Sequence, residues 1–134
     1  MSKKILVVDD EPDLLKVILL RLQKTGYEVF SGVDGREVLD IARRVMPDLI
    51  ILDVYLPVLN GDEVARILKK DDKLKHIPII LISATTETLS DRAADSGAIA
   101  YLTKPFEPED LISLVEKTLG QDGRAKTDKD KVLK

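Results

Sequence analysis

Asp9, Asp10, Asp53, Ser83 and Lys104 are the residues of this chain whose types could do chemistry as a group. Three carboxylates gathered in one place repel one another and raise one another's pKa values unless a cation sits between them. Such a gathering implies a metal. The ligands on offer are oxygens, because the chain has no cysteine and its one histidine, His76, stands in a charged loop ahead of Pro78 and reads as solvated. Oxygen donors favour a hard ion, and Mg²⁺ suits one or two carboxylates, a phosphate oxygen and retained water, with Mn²⁺ as the substitute. Lys104 then offers a point positive charge to phosphate and Ser83 a hydroxyl donor. A carboxylate nucleophile, a metal to spread charge, and a cation and donor on the remaining oxygens are what phosphoryl transfer needs.

Each of these residues also has a plainer reading. An acidic pair often caps a helix, a strand-ending aspartate is often solvated in a turn, and a lone serine or lysine is usually surface. Position weighs against those readings. Short apolar runs alternate with helical periodicity, the pattern of βα units around a parallel sheet. Strands are expected at Ile5 to Val8, Tyr27 to Phe30, Leu49 to Leu52, Ile79 to Ile82 and Ala98 to Leu102. Several are continuously apolar, as strands covered on both faces should be. Ligands of open α/β sheets bind beyond the carboxyl ends of the strands, and the candidate residues follow strands 1, 3, 4 and 5. In a doubly wound sheet of order 2-1-3-4-5 those four ends converge on one crevice, and the strand without such a residue is at the far edge.

The helices carry matching signals. The first is expected from about Pro12 to Lys24, with Gly26 past its end. Asp34 with Glu37 and Asn60 with Glu63 read as capping boxes opening the second and third. A fourth is expected over about Glu87 to Asp95, and a fifth from Pro108, where Glu107, Glu109 and Asp110 meet the positive end of the helix dipole. Residues 1–120 are expected to form one domain. The polar stretch over 121–134 has too few apolar residues to offset the cost of ordering and reads as a tail or linker stub.

Composition narrows the function. A net charge of −3 without a long Lys/Arg block leaves no electrostatic footprint for direct nucleic-acid or anionic-membrane binding. The absence of cysteine excludes disulfides and thiolate sites and suits a reducing cytoplasm. The opening apolar run, Ile5 to Val8, is far shorter than a signal-peptide core or a membrane span.

Several segments together resemble the receiver domains of two-component response regulators, over about Lys3 to Leu119. They are Ile-Leu-Val-Val-Asp-Asp-Glu at 5 to 11, Pro-Asp-Leu-Ile-Ile-Leu-Asp at 47 to 53, Leu-Pro followed by Asn60-Gly61, Ile-Ser-Ala at 82 to 84, and Tyr-Leu-Thr-Lys-Pro-Phe at 101 to 106. The resemblance implies a (βα)5 flavodoxin-like three-layer sandwich. It makes Asp53 the phosphoacceptor, Asp10 a direct Mg²⁺ ligand, Asp9 a ligand acting through water, and the Tyr55 backbone carbonyl a third protein ligand. Ser83 takes the place of the switch hydroxyl, Lys104 that of the phosphate-binding lysine with a cis bond to Pro105, and Tyr101 that of the switch aromatic. On spacing alone Tyr101 is a half-buried strand residue. Tyr55 and Thr85 fall at positions that tune phosphoryl lifetime.

The same resemblance implies a histidine kinase or histidine phosphotransfer protein as donor and a downstream protein target or output domain as receiver of the signal. That target would be met through the fourth helix, fifth strand and fifth helix, by a monomer or a phosphorylation-dependent dimer. The chain is then a phosphoacceptor that assists its own modification, not an enzyme acting on other substrates.

Asn60 stands where the family more often has Asp, which keeps the helix cap. Three other readings stay open. A haloacid-dehalogenase-type phosphatase would want a second Asp where Tyr55 stands, and a flavodoxin-like cofactor binder would want a phosphate loop after the first strand. The third is a receiver-like interaction module that is never phosphorylated. The first helix bears a wide apolar face of Leu14, Leu15, Val17, Ile18, Leu19, Leu20 and Leu22, either packed away or docking the donor, and Leu15 with Leu19 is the pair chosen to test docking.

Overall fold

The computed structural model describes residues 2–85 and 89–120. Among them the chain runs β1 (Lys4–Val8), α1 (Pro12–Thr25), β2 (Glu28–Gly32), α2 (Gly35–Val45), β3 (Leu49–Asp53), α3 (Gly61–Lys69), β4 (Ile79–Ser83), α4 (Leu89–Ser96), β5 (Ala100–Thr103) and α5 (Pro108–Leu119). The sheet is parallel throughout, in the order β2-β1-β3-β4-β5. The expected tail over 121–134 and the expected helix start at Glu87 lie outside the described residues.

Period-two alternation divides each inner strand between two cores. Ile5, Val7, Leu49, Ile51, Ile80 and Ile82 pack with Leu15, Ile18 and Leu22 of α1 and Leu111 and Val115 of α5. Their neighbours Leu6, Val8, Ile50, Leu52, Ile79 and Leu81 face the other way, onto Val38 and Ala42 of α2, Val64 and Leu68 of α3, and Leu89 and Ala93 of α4. β3 and β4 are buried at every position, which is why they read as unbroken apolar runs. Burying each such Leu, Ile or Val contributes about 1.5–3 kcal/mol before entropy is counted. Those layers hold the carboxyl ends of β1, β3, β4 and β5 side by side.

Helix ends account for two strand boundaries that differ from expectation. The Tyr27 amide donates to Leu22 O at 3.2 Å, closing α1 at the left-handed Gly26, so β2 begins at Glu28. The Ala98 amide likewise donates to Ala93 O at 3.1 Å beyond α4, and β5 starts only at Ala100. In each case the backbone donor already belongs to the helix.

The cap expected at Asp34 and Glu37 is only half of a box. The Asp34 carboxylate accepts the Glu37 amide at 3.0 Å, but Glu37 Oε1 reaches back to the Val33 amide at 2.7 Å instead of the Asp34 amide. At α3 the reach-back is the expected one, with the Asn60 amide donating to Glu63 Oε1 at 3.0 Å. A second complete box, Glu107 with Asp110, opens α5, where the sequence points only to a favourable dipole interaction.

Candidate phosphoryl-transfer and metal site

Asp53 is the last residue of β3, paired with Ile82 of β4. The residue is 4% exposed. Oδ1 accepts the Tyr55 amide at 3.0 Å and Oδ2 accepts from Lys104 Nζ at 2.9 Å. Asp9 follows β1 with no exposed surface, and its Oδ1 accepts the Glu11 amide at 2.8 Å. Asp10 beside it is exposed. One oxygen from each of Asp9, Asp10 and Asp53 lies within 4.8 Å of the others, so Asp53 joins an acidic pair more than 40 positions before it in one cluster.

Ser83 ends β4 and is almost fully buried, with its Oγ accepting the Thr85 amide at 3.1 Å. The Lys104 amide donates to Ser83 O at 2.8 Å, fastening the ends of β4 and β5 together. The Lys104–Pro105 peptide bond is cis. Lys104 Nζ reaches three acids: Asp53 at 2.9 Å, Asp9 at 3.0 Å and Glu11 at 2.5 Å.

Burial pushes the Asp53 carboxyl above its ordinary pKa; the Lys104 bond pulls it back in part, and the charge of Asp9 pushes it up again. Burial on its own would lower the Lys104 ammonium, but its contacts with Glu11, Asp53 and Asp9 more than reverse that and hold it charged. A single positive charge thus faces a surplus of negative ones.

One atom shows that the site has capacity for a further cation. Asp9 Oδ2 is buried and no hydrogen bond reaches it, although Lys104 Nζ lies 3.0 Å away. An acceptor buried without a donor is costly, and a hard divalent ion among Asp9, Asp10 and Asp53 would satisfy it. The donor set fits Mg²⁺.

Around this centre stand residues that reading along the chain did not connect to it. Glu11, the third acid in the Asp9-Asp10-Glu11 run, makes the shortest contact with Lys104. Arg92 of α4 stands over the Tyr55 ring, 5.0 Å from its centre, and 3.8 Å from Asp62 of α3. Tyr55 and Tyr101 are 45% and 46% exposed, so both rings stand at the surface. Thr85 is exposed and precedes the undescribed residues 86–88.

The apolar face of α1 proves to be two surfaces. Leu15, Ile18 and Leu22 are in the core, Leu14 and Leu19 are half-buried, and only Val17 and Leu20 stand out, at 44% and 52%. Leu15 is therefore the wrong residue with which to test docking, because its replacement would damage the core.

A five-stranded parallel sheet whose carboxyl edge gathers three acids and a lysine defines a class of phosphoacceptor domain, and comparison with known proteins gives the same class. The chain matches the response regulator receiver domain over residues 5–116 and belongs to that family. It is 36% identical to the polar-differentiation response regulator DivK of Brucella anthropi, covering 90% of this chain and 98% of that one. It is also 37% identical to the DNA-binding response regulator MtrA of Mycolicibacterium smegmatis, over 89% of this chain but only 51% of MtrA. The chain thus spans about half the length of several curated relatives it matches and nearly all of DivK. Among solved structures, the receiver domain of a Pseudomonas aeruginosa sensor histidine kinase, with a magnesium ion coordinated in its active-site cleft, superposes with a TM-score of 0.81 at 31% identity over 90% of this chain and all of that one. Among the described residues no helix is long and apolar enough to cross a membrane.

Proposed function

We propose that this chain is a cytoplasmic signalling switch operated by phosphorylation of Asp53, over a receiver domain of residues 1–120. The observation that carries the reading is the Asp53 carboxylate itself. It is held from one side by the Tyr55 amide and from the other by Lys104 Nζ, next to Asp9 and Asp10. Such a group is aimed, not loosely solvated.

The donor in this reading is a phosphohistidine on a histidine kinase or histidine phosphotransfer protein. An Asp53 oxygen forms a bond to phosphorus as the phosphorus–nitrogen bond breaks, and the leaving imidazole nitrogen keeps the electron pair and takes up a proton. Asp9, Asp10, Asp53 and the Tyr55 carbonyl would hold Mg²⁺, which neutralises charge on the transferring group. Lys104 moves from its acids to a phosphoryl oxygen, and the Ser83 hydroxyl gives up the Thr85 amide to donate to another.

The new charge, about −1.5 to −2, then biases the switch. With Ser83 drawn inward, Tyr101 follows from its exposed position. The output side is a groove of about 870 Å³ between α4, β5 and α5, floored by Ala98, Ala100 and Leu102 with Tyr101 at its rim, where a protein target or output domain is met. A full shift from about 1:99 to 99:1 needs roughly 5.5 kcal/mol, within reach of two or three charge-assisted bonds. Val17 and Leu20 of α1 offer the donor its docking contact.

The test is incubation with Mg²⁺ and a small acyl phosphate, followed by intact-mass measurement of the parent and of Asp53→Asn. A single phosphate adduct on the parent alone is expected. Equal labelling of both proteins, or of neither, rejects the reading in favour of an interaction module that works without phosphorylation.

A further inference from the structure

We propose that Glu11 is a positioning residue for Lys104, a tether that keeps the ammonium from the incoming phosphoryl group until transfer competes it away. The inference rests on the reading of Asp53 as phosphoacceptor and adds a residue that sets how readily that site is loaded.

An ammonium has three donors and no acceptor. Here three carboxylates face it, and the contact with Glu11 Oε1, at 2.5 Å, is shorter than those with Asp53 at 2.9 Å and Asp9 at 3.0 Å. The ammonium sits among the three, hydrogen-bonded to Glu11 and Asp53 and ion-paired with Asp9, so to reach a phosphoryl oxygen it has to move away from at least one of them. Asp9 and Asp53 are the wrong ones to yield: both are buried at the ends of strands, and both carboxylates are fastened by backbone amides. The Glu11 side chain is 58% exposed and can return to water at little cost.

The backbone of Glu11 is fixed even though its carboxylate is not. Its amide donates to Asp9 Oδ1 at 2.8 Å, and its carbonyl accepts the Leu15 amide at 3.0 Å as α1 begins. A flexible arm on a fixed root, reaching a lysine 93 positions away, has a definite length. Aspartate at position 11 would keep the charge and fall one methylene short. That difference separates a tether from a mere negative charge near the pocket, since a charge effect is nearly indifferent to one methylene of reach at an exposed position.

The experiment compares the parent with Glu11→Asp, Glu11→Gln and Glu11→Ala, following the initial rate of Asp53 labelling by a small acyl phosphate in saturating Mg²⁺. All three variants are expected to label faster, by roughly two- to fivefold, the range that release of one exposed ion pair supports. In a Lys104→Ala background, where labelling is slower throughout, Glu11→Asp should bring no gain. A Glu11→Asp protein that labels at the parent's rate while Glu11→Gln is faster would reduce Glu11 to a local charge and overturn the tether. So would a gain that persists without Lys104. A parent that takes no phosphate at all removes the phosphoacceptor reading and the tether with it, whereas a labelled parent with an unresponsive Glu11→Asp removes the tether alone.

Discussion

The Arg92 guanidinium of α4 lies 5.0 Å from the centre of the Tyr55 ring, and the Tyr55 amide in turn donates to Asp53 Oδ1 at 3.0 Å. A residue of α4 thereby holds the side chain two positions beyond Asp53. Asp62, nearly buried on α3, faces the same guanidinium at 3.8 Å. If the ring shields an acyl phosphate on Asp53 from water, Tyr55→Ala speeds phosphate loss, and Arg92→Ala does so by a smaller factor, about two- to fivefold for one cation–π contact. The double variant should be no faster than Tyr55→Ala. Timed intact-mass measurement after removal of the donor checks this, and an unchanged or slower loss in Tyr55→Ala removes the shield.

The raised Asp53 pKa has a defined sign in stability. The folded protein binds this proton more readily than the unfolded chain, so ionised Asp53 costs stability above its folded-state pKa, and the cost disappears as the pH falls below the unfolded value. In the presence of a chelator at neutral pH, Asp53→Asn should therefore melt a few degrees above the parent. That gap should close as the pH is lowered through the carboxylate range. Added Mg²⁺ should raise the parent's midpoint more than the variant's, because only the parent offers the full acid set. Thermal melts across pH, with and without the ion, decide it.

Val58 lies two residues before Asn60 with φ at 73°, in a turn closed by the Leu59 amide on Pro57 O at 2.8 Å. A β-branched residue is strained there, and its side chain is 64% exposed, so it buries little in return. Val58→Gly should raise stability by about 1 kcal/mol, strain relief exceeding the added entropy of the unfolded chain. Chemical denaturation measures it; a loss of stability would mean that the loop conformation is not strained.

Gly61 has the opposite sensitivity. A Cβ there would sit 2.1 Å from the carbonyl oxygen of Asp53, and the Gly61 amide donates to Val54 O at 2.7 Å. The intruding atom meets backbone that cannot step aside without moving Asp53. Gly61→Ala should cost about 2–4 kcal/mol and slow Asp53 labelling even where the protein remains folded. Parent-like denaturation and labelling would count against the close approach.

On α1, Val17→Ser with Leu20→Ser removes exposed surface only, so a stability change within about 0.5 kcal/mol is expected. Transfer from a phosphohistidine donor protein should fall at least severalfold, while labelling by a small acyl phosphate stays at the parent's rate. Leu15→Ser serves as the contrast and should lose stability outright. Intact transfer in the surface pair would exclude α1 as the docking face.

What the linear sequence settled by itself was the architecture and the edge of the sheet where the acids gather. Unbroken runs such as Leu49 to Leu52 and Ile79 to Ile82 announce strands covered on both faces, and Brändén's rule turns their exits into a site. Asp9, Asp10 and Asp53 were legible in this way because a strand order names the ends that meet. The same local reasoning found the Asn60 cap, whose partner Glu63 is three residues away.

Contacts between side chains from distant segments were decided only in three dimensions. No spacing rule pairs Glu11 with Lys104 or Arg92 with Tyr55, because those distances depend on how helices sit against the sheet and not on any local period. Hydrophobicity along α1 could not separate Leu15 in the core from Leu20 at the surface, since a wide apolar face leaves the rotation of the helix open until a sheet is packed against it. Strand starts at Glu28 and Ala100 shifted for a related reason. A backbone amide forms its bond with whichever acceptor the folded chain presents first, and at both places that acceptor belonged to the preceding helix.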